Sequence, residues 1–267
     1  MSQPTHLVTG ATDGIGTATA LELARRGARV LVHGRTEEKA RHAATTLRER
    51  LADATFEPVW GDLSSFTQVR ALAGQVASLA PSLDVLVNNA GVFMNERRLS
   101  GDGHELTFQV NHLAPFLLTA LLRPQLEAAP QGRVVNVSSI AHNRGRVDLD
   151  NLEGQKRFDA YGAYALSKLL NVHFTHELAR RLAGTRVTTY ALHPGVITTK
   201  LLKAGFNMAG ASVERGAATS VFCATEPGLA TGRYFSDARE AKCAAHADDP
   251  ALEARLWDLS ARLTGAA

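Results

Sequence analysis

The sequence predicts an α/β fold in which a seven-stranded, mainly parallel sheet carries helices on both faces. Short apolar runs alternate with helical patterns along the chain, a rhythm typical of right-handed βαβ units. The runs at residues 85–87 and 134–137 are almost continuously apolar, as expected for strands buried on both faces. A glycine-rich turn between the first strand and the first helix completes the pattern of a doubly wound sheet.

The first half of the chain contains four predicted strands, at residues 6–9, 29–33, 55–60 and 83–87. Helices are predicted between them, at residues 17–26, 36–51 and from Ser64 to about residue 80. Gly27 is placed to end the first helix. Thr36 is expected to cap the second helix, because its hydroxyl can accept a backbone N–H.

The second half continues the same alternation. The predicted elements are a long helix at about 104–126, strands at 133–137, 187–192 and 233–235, and helices at about 160–182, 213–224 and 250–263. A polar loop is expected at 141–159, and residues 196–212 are expected to be irregular. We predict one Rossmann-type domain over residues 1–267, with a cofactor-binding half at about 1–140 and a catalytic and substrate half at about 141–267.

Composition excludes several classes of protein. The chain of 267 residues is 45% hydrophobic and 21% charged, and its net charge of +3 is spread out, so no nucleic-acid partner is expected. Cys223 and Cys243 have no metal-like spacing, which suits a reducing compartment and predicts no metal site. No secretory signal is recognisable, and the longest apolar run, near residues 113–122, is too short to span a bilayer. We therefore expect a soluble, cytoplasmic protein without a membrane span.

The glycine-rich turn reads Thr9-Gly10-x-x-x-Gly14-x-Gly16 and opens the first helix. Glycine permits the tight turn and lets backbone N–H groups approach phosphate, while the helix N-terminus supplies partial positive charge. The spacing differs from the common G-x-G-x-x-G pattern. Its position directly after the first strand nevertheless predicts a dinucleotide site.

The end of the second strand indicates which dinucleotide binds. An NAD site places an acidic residue there, but this chain reads His33-Gly34-Arg35-Thr36, with no acid before Glu37. An arginine can bind a 2′-phosphate through charge-assisted hydrogen bonds. We therefore expect NADP(H) in preference to NAD(H), although Arg35 could also be a solvated residue at a helix start and Asp13 adds a negative charge to the turn.

Tyr164 and Lys168 lie four positions apart in a helical run, so both project from one helix face. An ammonium about 5 Å from a phenol is expected to lower the phenol pKa by about two units. Such pairs also occur on solvated helix faces, so their meaning depends on their neighbours. Tyr161, seven residues before Lys168, cannot form the same pair.

Polar residues follow two predicted strands, Asn88-Asn89-Ala90-Gly91 after the fourth and Ser138-Ser139 after the fifth. Open α/β sheets bind ligands at these carboxyl ends. Chemistry on a carbonyl or alcohol needs a proton relay and a donor that holds the reacting oxygen. Tyr164 can be the relay and Ser139 the donor, unless Ser139 is a simple turn residue.

Taken together, these residues resemble the short-chain dehydrogenase/reductase family. The motifs occur in family order from residue 5 to about residue 200: Thr9-Gly10-x-x-x-Gly14-x-Gly16, Asp62-Leu63, Asn88-Asn89-Ala90-Gly91, Asn111, Ser139, Tyr164-x-x-x-Lys168 and Pro194-Gly195 with Thr199. Further details are most similar to the retinol dehydrogenase-like branch and its WW-domain oxidoreductase relatives, among them Val110-Asn111-His112-Leu113, the long interval from Ser139 to Tyr164 and Tyr234-Phe235-Ser236-Asp237.

The resemblance implies a role for each matching residue. Tyr164 would transfer the proton, Lys168 would lower its pKa and hold the nicotinamide ribose, and Ser139 would position the substrate oxygen. Asn111 would anchor a water that connects Lys168 to solvent. The implied cofactor-binding residues are Gly10, Thr12, Asp13, Gly14, Ile15, Gly16, Arg35, Asp62, Leu63, Asn89, Ala90, Gly91, Tyr164, Lys168, Pro194, Gly195, Ile197 and Thr199.

The expected function is an NADP(H)-dependent oxidoreductase that interconverts a lipophilic alcohol and its aldehyde or ketone. An apolar pocket under a mobile lid is suggested by Phe93, Met94, Leu201, Leu202, Phe206 and Met208, although such residues also serve plain packing. The alternative is an NAD(P)-binding sensor or interaction protein of the same fold without physiological catalysis. By family analogy, the Tyr164 helix and the long helix before it are candidate surfaces for a homo-oligomer.

Overall fold

One eight-stranded sheet organises the part of the chain that the structure describes, residues 3–206 and 209–266 without the side chains of Ala204 and Phe206. In this computed structural model the strand order is β3-β2-β1-β4-β5-β6-β7-β8. Strands β1 to β7 are parallel, and β8 pairs antiparallel with β7. The strands are β1 Thr5–Val8, β2 Arg29–Gly34, β3 Phe56–Trp60, β4 Val85–Asn88, β5 Arg133–Val137, β6 Thr188–His193, β7 Arg233–Ser236 and β8 Arg239–Ala241.

Helices cover both faces of the sheet. They are α1 Gly14–Arg25, α2 Glu37–Arg50, α3 Phe66–Leu79, α4 Leu106–Phe108, α5 Ala114–Leu121, α6 Arg123–Ala128, α7 Ala160–Arg181, α8 Lys200–Phe206, α9 Val213–Thr225 and α10 Pro250–Thr264. A π-helical turn spans Gln109–Leu113, and 3-10 turns span Ile140–Arg144 and Ala245–Ala247. The predicted cap of α2 is confirmed, since the Thr36 side chain accepts from the Lys39 N–H.

Alternate residues of each strand enter two different cores. In β1, Leu7 packs in a cluster with residues of α3, α5 and α7, whereas Val8 packs on the opposite face with residues of α1, α2 and α9. Both side chains are fully buried. Burial of such a side chain contributes about 1.5–3 kcal/mol, so covering both faces explains the continuous apolar runs. The predicted α/β fold is confirmed.

The predicted number of strands is wrong by one. The extra strand, β8, is three residues long and joins β7 through a two-residue turn in which Asp237 and Ala238 have φ values of 50° and 53°. Two positive φ values define the tight hairpin turn that Asn-Gly or Asp-Gly usually signals. Because alanine takes the second position here, the sequence carries no recognisable hairpin pattern.

The predicted helix at 104–126 is interrupted. It starts as α4, widens into the π-helical turn and continues as α5 and α6. Pro115 has no N–H, so it cannot donate to the Asn111 carbonyl four residues earlier, and the regular α-helical ladder fails there. Pro124 lies in the first turn of α6, where a proline is tolerated.

Residues 196–212 are more regular than expected, because α8 occupies Lys200–Phe206. Ile197 also forms an isolated bridge with Ala211, which closes this segment into a loop. Gly205 of α8 lies against Phe93, since a Cβ there would come within 2.9 Å of the Phe93 ring. Of the predicted lid residues, the Phe206 side chain and Met208 lie outside the described residues. Among the helices of residues 3–206 and 209–266, none combines the length and apolar character needed to cross a bilayer.

Candidate active site

The glycine turn links β1 to α1 at the carboxyl edge of the sheet. Gly10 and Gly14 have φ values of 63° and 56°, which favour glycine. A Cβ on Gly16 would lie 2.2 Å from the Gly10 carbonyl oxygen, so α1 can pack this closely only with glycine there. Asp13 caps α1 by accepting from the Gly14 N–H at 2.7 Å. The first helix therefore begins directly behind an exposed backbone turn, as a phosphate-binding site requires.

Three side chains hold the glycine turn from behind. The Thr9 hydroxyl accepts from the backbone N–H groups of Asn89 and Ala90, and the Asn89 amide donates to the Thr9 carbonyl at 2.8 Å. His33 Nδ1 accepts from the Gly10 N–H at 3.0 Å, and its Nε2 pairs with the Gly61 carbonyl at 2.9 Å. The side chains of Thr9, Asn89 and His33 thus hold the turn from the protein interior.

His33 is a neutral imidazole. It is 3% exposed, and burial lowers its pKa to about 4. Because Nδ1 accepts from Gly10, the proton resides on Nε2 and is donated to Gly61. No role was predicted for His33, although its position before Gly34 at a strand end was an available signal.

Ser139, Tyr164 and Lys168 meet at the carboxyl end of β5. Ser139 lies in the strand-to-turn junction, and its Oγ accepts from the Ala141 N–H at 3.2 Å. Tyr164 and Lys168 project from α7, with Lys168 Nζ 5.6 Å from the centre of the Tyr164 ring. The ammonium donates to the Val137 carbonyl at 3.0 Å. The i, i+4 spacing therefore brings both side chains to one place, as predicted.

The predicted lowering of the Tyr164 pKa by Lys168 is wrong. Burial raises the pKa of Tyr164 to about 12, against the lowering influence of its hydrogen bond with Ser139. Burial also lowers the pKa of Lys168 to about 8. The Lys168 ammonium faces the ring and the Val137 carbonyl, so desolvation outweighs the attraction that the helical spacing suggested.

Asn111 lies behind this cluster, in the π-helical turn. Its side chain accepts from the Val92 N–H at 2.8 Å and donates to the Val92 carbonyl at 3.0 Å and to Ser167 Oγ at 3.0 Å. A Cβ on Gly91 would lie 3.3 Å from Asn111 Oδ1 and 3.5 Å from Lys168 Nζ. Asn111 is therefore a close neighbour of Lys168 beneath the surface of the site, and its water-anchoring role stays a prediction.

One cleft of about 530 Å³ joins the predicted residues. Ser139 and every residue that the sequence assigned to cofactor binding line this cleft, whereas Asn111 does not. The cleft runs along the carboxyl edge of the sheet, where the strand order changes direction between β1 and β4. The first half of the chain contributes Arg35 and the glycine turn to this cleft, and the second half contributes Tyr164 and the Pro194-Gly195 motif.

Two residues that line the cleft, Lys200 and His193, were not predicted from the sequence. Lys200, at the start of α8, pairs with Asp13 at 2.6 Å and so joins the glycine turn to α8. His193 precedes the Pro194-Gly195 motif and accepts from the Ile140 N–H at 3.1 Å. Salt bridges and backbone contacts between distant segments have no local sequence pattern, which is why these residues were missed.

The residues present fit a nicotinamide dinucleotide. The glycine turn offers backbone N–H groups at a helix start, and the buried Lys168 ammonium borders the narrow space beside Gly91. Gly14 keeps the cleft open beside Thr199, because a Cβ there would already touch the Thr199 methyl at 3.4 Å. The fold and the site together define a dinucleotide-dependent oxidoreductase.

The chain belongs to the short-chain dehydrogenase family, whose model matches residues 4–210. It is 41% identical to human retinol dehydrogenase 11, over 97% of this chain and 85% of that protein. It is 39% identical to human retinol dehydrogenase 14, over 99% of this chain and 87% of that protein. The predicted family and its retinol dehydrogenase-like branch are confirmed, and the chain is an oxidoreductase that acts on alcohol or carbonyl groups with NAD(P).

Solved structures agree with this assignment. A protein from Mycobacterium paratuberculosis matches 99% of this chain and 94% of its own, with a TM-score of 0.84 and 35% identity. A short-chain dehydrogenase from Escherichia coli CFT073, solved with NADPH, matches 89% of this chain and 97% of its own, with a TM-score of 0.74 and 27% identity. The RhlG protein of Pseudomonas aeruginosa, solved with NADP, matches 88% and 95%, with a TM-score of 0.73 and 26% identity.

Proposed function

We propose that this protein is an NADP(H)-dependent oxidoreductase that interconverts a lipophilic alcohol and its aldehyde or ketone. The observation that carries the proposal is the cleft in which Ser139, Tyr164 and Lys168 adjoin the glycine turn. A bound nicotinamide supplies or accepts the hydride. The side chains of this chain then have to bind the substrate oxygen and move its proton.

Tyr164 is the residue that handles this proton. Because its pKa is raised to about 12, the phenol keeps its proton at neutral pH and can donate it to the oxygen of a carbonyl. Ser139 donates a hydrogen bond to the same oxygen and stabilises the negative charge that develops there. Lys168, charged below a pKa of about 8, would hold the ribose hydroxyls of the bound dinucleotide, and its charge favours the phenolate that remains after proton transfer.

Arg35 supports the preference for NADP(H). It lies in the cleft directly after β2 and is exposed, so its guanidinium can reach a 2′-phosphate. The neighbouring acidic residue, Glu37, starts α2 instead of ending β2. The relatives solved with NADP and NADPH are consistent with this choice.

Apolar side chains around Tyr164 support a lipophilic substrate. Phe93 packs against Tyr164 with ring centres 5.5 Å apart, and Leu201 of α8 packs on the same cluster. Ile140 and Val196 line the cleft and are 52% and 44% exposed. Large apolar side chains exposed at a cleft mark a ligand surface. Retinol dehydrogenases among the relatives fit this interpretation.

A panel of straight-chain aldehydes tests both parts of the proposal. We expect kcat/KM with NADPH to rise with chain length, by about 3- to 4-fold for each added methylene that is buried, corresponding to about 0.8 kcal/mol. NADPH should be preferred to NADH in the wild type. Arg35→Asp should reverse that preference, because a carboxylate repels the 2′-phosphate and binds the 2′-hydroxyl.

Arg50→Asp is the matched control, since it makes the same charge change at the exposed end of α2, away from the cleft lining. An unchanged coenzyme preference in Arg35→Asp would exclude Arg35 as the phosphate reader. A flat dependence on chain length would exclude the lipophilic pocket. Turnover of none of these carbonyls or their alcohols, with tight NADPH binding, would favour the sensor protein over the enzyme.

A further inference from the structure

Two imidazoles hold the peptide group that joins Ser139 to Ile140. His142 Nδ1 lies 2.7 Å from the Ser139 carbonyl oxygen, and His193 Nδ1 lies 3.1 Å from the Ile140 nitrogen. Both atoms belong to the same peptide unit, directly after Ser139. The two histidines come from different elements, His142 from the 3-10 turn and His193 from the last position of β6.

The hydrogen-bond network fixes the protonation of both rings. His193 Nδ1 accepts from the Ile140 N–H, so that nitrogen carries no proton. His142 Nε2 accepts from the Ala244 N–H at 3.0 Å, so its proton is on Nδ1 and is donated to the Ser139 carbonyl. Burial lowers the pKa of His193 to about 4 and lowers the pKa of His142, which agrees with two neutral rings.

The surroundings of the pair match these roles. The nearby charge of Asp237 raises the pKa of His193, whereas His142 lowers it. His246 and His173 both lower the pKa of His142. The Tyr234 ring packs on His142 with ring centres 4.9 Å apart. His142 is 1% exposed. The Tyr234 ring and the hydrogen bond from Ala244 hold its imidazole in place.

A peptide that is held at both its N–H and its C=O is restrained against rotation, and this restrains the ψ angle of Ser139, which is 159°. The direction of the Ser139 hydroxyl follows from that backbone and from its bond to Ala141. A shift of about 1 Å in a group that contacts the reacting atoms can cost about 10²-fold in rate.

We propose that His142 and His193 are positioning residues, which together clamp the Ser139–Ile140 peptide so that the Ser139 hydroxyl points at the substrate oxygen. This inference rests on the role proposed for Ser139. The clamp also connects the site to the segment that follows β8, because His142 accepts a hydrogen bond from the Ala244 N–H of that segment.

The test is a double-mutant cycle with Ser139→Ala, measured as kcat and KM for aldehyde reduction at saturating NADPH. His142→Leu and His193→Leu remove the two hydrogen bonds, and each is expected to lower kcat about 10- to 100-fold with little change in KM. In the Ser139→Ala background the same replacements should cost less than about 2-fold, because the hydroxyl that the two histidines position is already absent.

Conservative variants separate positioning from general folding. His193→Asn keeps an acceptor near the position of Nδ1, and His142→Asn keeps an N–H donor there, so both should retain most of the wild-type kcat. Circular dichroism checks the fold of every variant. If a leucine variant does not fold, the glutamine variant at the same position, His142→Gln or His193→Gln, replaces it. The longer amide places its polar atoms near Nε2 instead of Nδ1, so it should behave like the loss of the bond to the Ser139–Ile140 peptide.

The outcomes are distinct. Full activity of Ser139→Ala would refute the role of Ser139 and with it the clamp. A damaged Ser139→Ala combined with additive losses from the leucine variants would overturn the clamp and leave the proposed function intact. A rise in KM at constant kcat for His193→Leu would identify His193 as a substrate contact and also overturn the clamp.

Discussion

Lys168 is a charged group that is almost fully buried. It is 3% exposed, and burial lowers its pKa from 10.5 to about 8. Between these values the unfolded chain binds more protons than the folded one, so stability rises with pH from about 8 to 10.5. Below pH 8 the full cost is present, about 3 kcal/mol for 2.5 pKa units. The proposed role of Lys168 in catalysis explains why the chain keeps a residue that opposes folding.

Lys168→Met is expected to abolish activity and to stabilise the fold at pH 7 by about 2 kcal/mol. The gain is smaller than the desolvation cost because the hydrogen bond to Val137, about 1 kcal/mol, is lost. Urea denaturation at pH 7 and at pH 10.5 measures it, and the gain should shrink at the higher pH. Lys39→Met, on the exposed face of α2, should change stability little. A Lys168→Met protein less stable than the wild type at pH 7 would contradict this account.

The residue types at the site were readable from the sequence, whereas their electrostatics were not. Spacing alone put Tyr164 and Lys168 on one face of a helix, and strand-end position put Ser139 next to them. The direction of the Tyr164 pKa depended on burial, which is set by Phe93 and Leu201 from distant segments. The same limit explains why the roles of His33, His142 and His193 were missed, since each acts through a backbone group remote in sequence.

Among the elements, the junction of β1 and α1 is the one that tolerates least change. Gly16→Ala is expected to destabilise the fold by about 1–3 kcal/mol and to weaken NADPH binding, because its Cβ would overlap the Gly10 carbonyl. Gly74→Ala is the matched control. Gly74 lies inside α3 with no atom within 4 Å of a Cβ, so alanine there should stabilise by about 0.5–1 kcal/mol.

Thermal denaturation and NADPH fluorescence titration measure both glycine variants. If Gly16→Ala bound NADPH with wild-type affinity and melted at the wild-type temperature, the close approach of α1 to the glycine turn could not be a requirement of the site.

Elements with strong local signals were predicted well. The bounds of β5 matched, and α2 begins at its predicted threonine cap. Two elements were predicted wrongly because of a single residue. Pro115 interrupts the long helix, and Ala238 takes the turn position where glycine would have indicated the β7–β8 hairpin. The helix α8 was missed because Gly205 lowers helix propensity, whereas its packing against Phe93 favours the helix and is invisible in the sequence.

At the scale of the whole molecule, the sheet brings together groups that are far apart in the chain. The parallel order sets Arg35, the glycine turn, Ser139 and the Pro194-Gly195 motif along one edge. The salt bridge between Asp13 and Lys200 spans 187 positions of the chain and crosses the cleft. Right-handed connections between buried strands dictate this arrangement, which is why the fold and the location of the site followed from the sequence.

The central claim is that Tyr164 transfers the proton during dinucleotide-dependent turnover, and a pair of tyrosine variants tests it. The measurement is kcat for aldehyde reduction by NADPH in Tyr164→Phe and in Tyr161→Phe, each with its NADPH dissociation constant. We expect Tyr164→Phe to lose about 10²- to 10⁴-fold in kcat, with a much smaller change in NADPH affinity. Tyr161→Phe, in the same helix and lining the same cleft, should stay within a few-fold of the wild type. Wild-type turnover in Tyr164→Phe would contradict the account.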